Sequence, residues 1–167
     1  MVTVERSHSR HTGRRVLAWS AIGLTALCAA GYAAQRAAAT RDARRFPPPG
    51  RLVDLGSVRL HLDVHGEGRG APTVVLEAGL GSFSPNWHWV QLALADHMRV
   101  VAYDRAGLGW SDPRAYPRDA STMALELHAM LINANVSGPY ILVGHSLGGP
   151  VARHFATTAR AMFRARL

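Results

Sequence analysis

The sequence predicts an α/β fold with a largely parallel sheet, preceded by one apolar N-terminal helix. Three observations carry this. Short, almost wholly apolar runs recur at 73–76, 99–103 and 140–143, as expected of strands covered on both faces. Segments with helical spacing separate them. A glycine-bearing turn follows each run, where a strand can hand over to a helix.

From Val16 to Ala34 no charged residue occurs. At about 1.5 Å per residue this stretch is long enough to cross a hydrocarbon core of roughly 30 Å. It reads as a transmembrane helix or signal anchor (16–34) between a basic N-terminal segment (1–15) and a Pro/Arg-rich linker (35–50) that ends in Phe46-Pro47-Pro48-Pro49-Gly50. The expected location is a single-pass membrane protein. The alternative is export after cleavage of a signal peptide among the small residues Ala33 to Ala39, and Arg14-Arg15 faintly echoes a twin-arginine signal. Arginines stand on both sides of the apolar run, so charge does not fix its orientation.

The net charge is +8, and every basic residue is Arg. Nine of these Arg lie in residues 1–51 against only Glu5 and Asp42, so the remainder of the chain is close to neutral. Basicity therefore flanks the apolar segment and forms no stripe on the folded part. That pattern points to anionic membrane lipid and away from nucleic acid. The single cysteine excludes a disulfide framework or a thiolate metal site within the chain.

The remaining domain spans 51–167. Arg51 to Leu55 and Val58 to Val64 alternate apolar and polar residues around Gly56-Ser57, which predicts an antiparallel edge ribbon. His61 and His65 on it read as solvent-facing, and no histidine–carboxylate grouping has metal-ligand spacing. After Gly70-Ala71-Pro72, Thr73 to Leu76 is a buried strand that ends in Glu77-Ala78-Gly79-Leu80-Gly81, a loop whose free N–H groups could face a developing oxyanion. Ser84-Pro85 reads as an N-cap and first helical position. Arg99 to Tyr103 is another buried strand. The Gly107-x-Gly109 after it lacks the third glycine of a dinucleotide site, because position 112 is Asp, so Asp104 and Arg105 are expected to brace the loop. Met123, Leu127, Met130 and Leu131 recur at helical spacing between Ser121 and Ala134 and should face the sheet.

Tyr140 to Val143 then leads into Gly144-His145-Ser146-Leu147-Gly148-Gly149, which fits G-x-S-x-G. A serine hydroxyl is a weak nucleophile unless it is exposed and deprotonated, and a sharp strand-to-helix turn supplies the exposure. Such a turn needs small neighbours, here Gly144 and Gly148. Ser146 is the candidate nucleophile.

With EAGLGS after one strand, YDRAGLGWSDP after the next and GHSLGG after the third, the stretch from Arg51 to about Thr157 resembles the α/β-hydrolase fold superfamily, in its branch of small serine esterases and peptidases. The resemblance implies a partial α/β-hydrolase sheet, from the first strands through the nucleophile elbow. It implies Ser146 as nucleophile and the N–H groups of Leu80 and Leu147 as oxyanion hole, acting on a small-molecule ester or amide by acyl transfer to water, with no cofactor. A serine in this place disfavours the chemistry of epoxide hydrolases and haloalkane dehalogenases, which carry a carboxylate there. Glu77-Ala78 stands where many relatives have His-Gly.

In that family the acid and then the histidine follow the nucleophile. Here only His154 follows Ser146, about 12 Å along the same helix, and no Asp or Glu follows Glu126. His145 is the adjacent turn residue, with its side chain held away from the hydroxyl. The expectation is the front half of a hydrolase, truncated and inactive by itself, with one sheet edge open. The alternative is a non-enzymatic, membrane-anchored remnant of such a hydrolase.

Overall fold

The computed structural model describes residues 7–68, 72–115 and 118–164. The chain divides into two units, Met1–Pro47 and Pro48–Leu167. The first six positions of the basic segment, Gly70-Ala71 and the last three residues lie outside the described residues.

The first unit is one helix, α1 (Ser7–Arg45), of 39 residues. Its Gly13–Arg45 portion is long and apolar enough to cross a membrane, a test of length and composition that a signal sequence also passes. The helix does not stop at Ala34, which shortens the spacer expected over 35–50 to Phe46–Gly50. The reason is propensity. Gln35 to Arg45 is rich in Ala and Arg, both strong helix formers, and no breaker occurs before Pro47.

The second unit is built on a five-stranded sheet of β1 (Arg51–Asp54), β2 (Arg59–His65), β3 (Thr73–Glu77), β4 (Val100–Tyr103) and β5 (Tyr140–Gly144), in the order β1-β2-β4-β3-β5. β1 pairs with β2, and β2 with β4, antiparallel; β3 runs parallel to both β4 and β5. The hairpin between β1 and β2 turns at Gly56, whose φ of 86° suits a residue without Cβ, and Asp54 Oδ1 accepts its N–H at 2.7 Å. β3 and β4 are buried along their whole length, as their unbroken apolar runs require.

A 3₁₀ turn (Ser84–Trp87) leads into α2 (His88–Ala95); α3 (Ala120–Asn133) and α4 (Gly148–Arg164) follow β4 and β5. On one face of the sheet, Val74, Leu76, Val100 and Ala102 pack against Trp87, Leu94 and Met98. On the other, Leu60, Leu62, Val75, Val101 and Tyr103 pack against Met123, Leu127, Met130 and Leu131 of α3 and Val151 and Phe155 of α4. The Met and Leu stripe of α3 is thus core, and Asp119 caps that helix by accepting the Thr122 N–H at 2.8 Å.

Two local expectations are corrected. Ser84 is the first residue of the 3₁₀ turn and caps nothing; it is buried beneath the loop after β4, and its N–H goes to Asp104 Oδ1 at 2.7 Å. His61 does not face solvent. It is fully buried, because the loops at 82–84 and 104–111, remote in sequence, close over that part of β2.

Candidate active site

The helix after β3 lies on one face of the sheet and the helix after β5 on the other, although the two strands are neighbours. Their C-terminal loops therefore diverge and leave a crevice, the position where open α/β sheets bind ligands. Register sets what borders it. Glu77 pairs with Gly144, so Leu80 is three residues beyond the paired position on one strand and Ser146 two residues beyond it on the other.

At the β5 side, Ser146 has φ of 52°, in the left-handed region that costs a side-chain-bearing residue energy, and it is exposed. The flanking glycines have steric causes. A Cβ on Gly144 would lie 2.6 Å from the Gly148 carbonyl carbon, and one on Gly148 would collide with the Glu77 carbonyl. The His145 N–H donates to that same Glu77 carbonyl at 3.0 Å, and the Gly149 N–H closes the turn onto Ser146 O at 2.9 Å. Leu147 stands between Ser146 and the first residue of α4, with its N–H at the positive end of the helix.

The β3 loop comes close to this turn, since a Cβ on Gly79 would lie 2.9 Å from His145 Nδ1. Leu80 is 82% exposed at the crevice mouth. Among the described residues, neither the Leu80 N–H nor the Leu147 N–H has a hydrogen-bond acceptor. A cavity of about 290 Å³ lies alongside, lined by Ala78, Gly79, Ser82, Asn86, Trp87, Val90 and His145.

Two buried polar groups underlie these loops. Glu77, 1% exposed, accepts from the Tyr103 hydroxyl and from Arg105, whose guanidinium also donates to Ala78 O and Gly79 O. Burial pushes the Glu77 carboxyl up from its ordinary value against the opposing pull of Tyr103 and Arg105, and burial beside Glu77 pushes the Tyr103 phenol well up. In the second group, His61 Nδ1 lies 3.0 Å from Asp104 Oδ2. The Gly50 N–H donates to His61 Nε2 at 3.3 Å, so the ring proton sits on Nδ1 and faces the carboxylate. Burial raises the Asp104 carboxyl, but hydrogen bonds from His61 and from the Ser84 and Trp110 N–H groups outweigh this and hold it below the usual range.

A family model of the alpha/beta hydrolase fold matches residues 72–162, more than half of the chain. The chain belongs to the alpha/beta hydrolase fold family. It is 38% identical over 101 residues to an AB hydrolase superfamily protein of Gibberella zeae, which covers 58% of this chain and 31% of that protein. It is 42% identical over 102 residues to a Hormonema carpetanum protein that bears the name "Probable transporter efuK", covering 59% of this chain and 15% of that one. Among solved structures, the epoxide hydrolase CorEH matches with a TM-score of 0.60 and 30% identity, over 66% of this chain and 38% of that one. The alpha/beta hydrolase stretch here thus spans well under half the length of these relatives.

Within this alpha/beta hydrolase unit the sequence-predicted residues Leu80, Gly144, Ser146, Leu147 and Gly148 all lie at the C-terminal ends of β3 and β5. His145 points toward Gly79 and the cavity, while His154 lies along α4, near Asp119 at the start of α3. Sequence reasoning anticipated Asp104 and Arg105 as braces. It missed their partners His61 and Glu77; a signal was available for Glu77 alone, as a charged residue at the end of an otherwise apolar strand.

Proposed function

We propose that this chain carries the nucleophile of a membrane-tethered serine hydrolase that acts on small-molecule ester or amide bonds by acyl transfer to water. The observation that carries the reading is Ser146, exposed and at φ 52°; it supports the reading together with the N–H groups of Leu147, next to it in the turn, and of Leu80, on the loop after the neighbouring strand, neither of which has an acceptor among the described residues. In this reading Ser146 Oγ attacks the substrate carbonyl carbon, and the two N–H groups take up the negative charge that develops on its oxygen. The alcohol or amine leaves with a proton, and water then releases the acyl group from the serine.

Full turnover needs a histidine to carry that proton, and the two nearest in sequence are not placed for it. His145 is turned toward Gly79, and His154 is about 12 Å along α4 by helical rise. These 167 residues by themselves are therefore proposed to acylate slowly, through oxyanion stabilisation alone, and to release acyl groups more slowly still.

The test is pre-steady-state release of 4-nitrophenol from 4-nitrophenyl butyrate. The expected result is up to one equivalent released per chain, absent in Ser146→Ala. Identical traces for the two proteins would exclude the reading.

A second reading, a non-enzymatic membrane-anchored remnant, is favoured by that same placement of His145 and His154. Its working part is α1. Alkaline carbonate should leave the chain in the membrane pellet, with detergent required for extraction; release by carbonate alone would exclude a spanning helix and with it the anchor in both readings.

A further inference from the structure

We infer that Arg105, locked in place by Glu77, is the positioning residue that aims the Leu80 N–H into the crevice beside Ser146, an inference that rests on the reading of Ser146 given above. The peptide unit joining Gly79 and Leu80 links the two groups concerned. In a planar trans peptide the C=O and the N–H point in opposite directions, so whatever holds the Gly79 oxygen also sets the direction of the Leu80 N–H. Arg105 Nη2 donates to that oxygen. The guanidinium is 5% exposed and lies in the body of the domain, so the carbonyl is drawn inward and the N–H is turned out.

One guanidinium grips three successive acceptors. Its Nη1 donates to Glu77 Oε1 and to Ala78 O, each at 2.5 Å, and its Nη2 to Gly79 O. A planar fork with donors fixed at different angles can do this, whereas an ammonium is a single point of charge on a flexible stem. Glu77 is what makes the buried cation tolerable, and its second oxygen is held by the Tyr103 hydroxyl. Glu77 also reaches the other side of the crevice, since its carbonyl accepts the His145 N–H at 3.0 Å. The same residue therefore ties the loop bearing Leu80 to the turn bearing Ser146. A plain structural ion pair needs no contact with Ala78 O or Gly79 O; these two bonds are what distinguish a clamp on the loop from charge neutralisation.

The test uses the full chain in detergent micelles, with two readouts. The first is the second-order rate of serine phosphonylation by a fluorophosphonate, measured below each variant's thermal midpoint. The second is the ¹⁵N order parameter of the Gly79–Gly81 amides. Arg105→Lys, which keeps the charge, should lose about tenfold to a hundredfold in rate, in the range seen when an oxyanion donor is compromised. Its loop amides should fall from about 0.85 to below about 0.6. Glu77→Gln should lose less, because Arg105 keeps its two backbone acceptors, and Arg59→Gln, on the distant pair with Asp112, should stay within twofold.

A rate within twofold of wild type in Arg105→Lys would overturn the inference, whether or not the loop loosens. Should the wild type react no faster than Ser146→Ala, the nucleophile reading fails, and the order parameters alone decide the clamp: unchanged values in Arg105→Lys overturn it.

Discussion

Asp104 has no exposed surface, yet its carboxylate is held below the usual range because His61 and the N–H groups of Ser84 and Trp110 all point at it. A carboxyl whose pKa is lower folded than unfolded stabilises the fold above the unfolded value, near 3.9, and that contribution is lost as pH falls through the folded value. Asp104→Asn should therefore cost about 1–3 kcal/mol at neutral pH and flatten the acid limb of the stability curve. Urea unfolding between pH 3 and 7 measures both, and an unchanged acid limb would show that Asp104 does not govern it. The pairing with His61 was not legible in the sequence. Alternation along β2 marks faces of a strand, but it says nothing of loops near positions 84 and 111 that fold back over one of them.

At the scale of elements, what could be read in advance was whatever rests on a local pattern. The unbroken apolar runs of β3 and β4 and the Met and Leu spacing of α3 specify burial directly, and those residues are buried. On α3, Leu127 is fully buried while Leu125 is 46% exposed. Leu127→Ala should cost about 2–5 kcal/mol and Leu125→Ala well under 1, measured by chemical denaturation. Similar costs for the two would contradict the packing described. The extent of α1 was less legible, because absence of charge marks only the part that suits lipid. Ala and Arg continue a helix past that part without any change in hydropathy pattern to signal it.

At the level of the whole sheet, β5 stands at one edge and, among the described residues, is covered on one face. Tyr140 and Leu142 pack toward α4, while Ile141 and Val143, in register with buried Val74 and Leu76, are 44% and 37% exposed. An apolar edge strand of this kind invites pairing with another chain. Replacing Ile141 and Val143 by Lys should lower light scattering of the detergent-solubilised protein at raised concentration without lowering its thermal midpoint. Unchanged scattering would show that aggregation does not run through β5. That Tyr140 to Val143 forms a strand was legible from its apolar run ahead of GHSLGG. Which face of β5 would stay bare was not, since it depends on where α2 settles.

The hydrolase reading depends on Ser146, which is tested by treating the full chain with a fluorophosphonate and locating the adduct by peptide mass spectrometry. The expected result is one adduct per chain, on Ser146, and none on the Ser146→Ala protein. No adduct, or one on another residue that persists in Ser146→Ala, would contradict it.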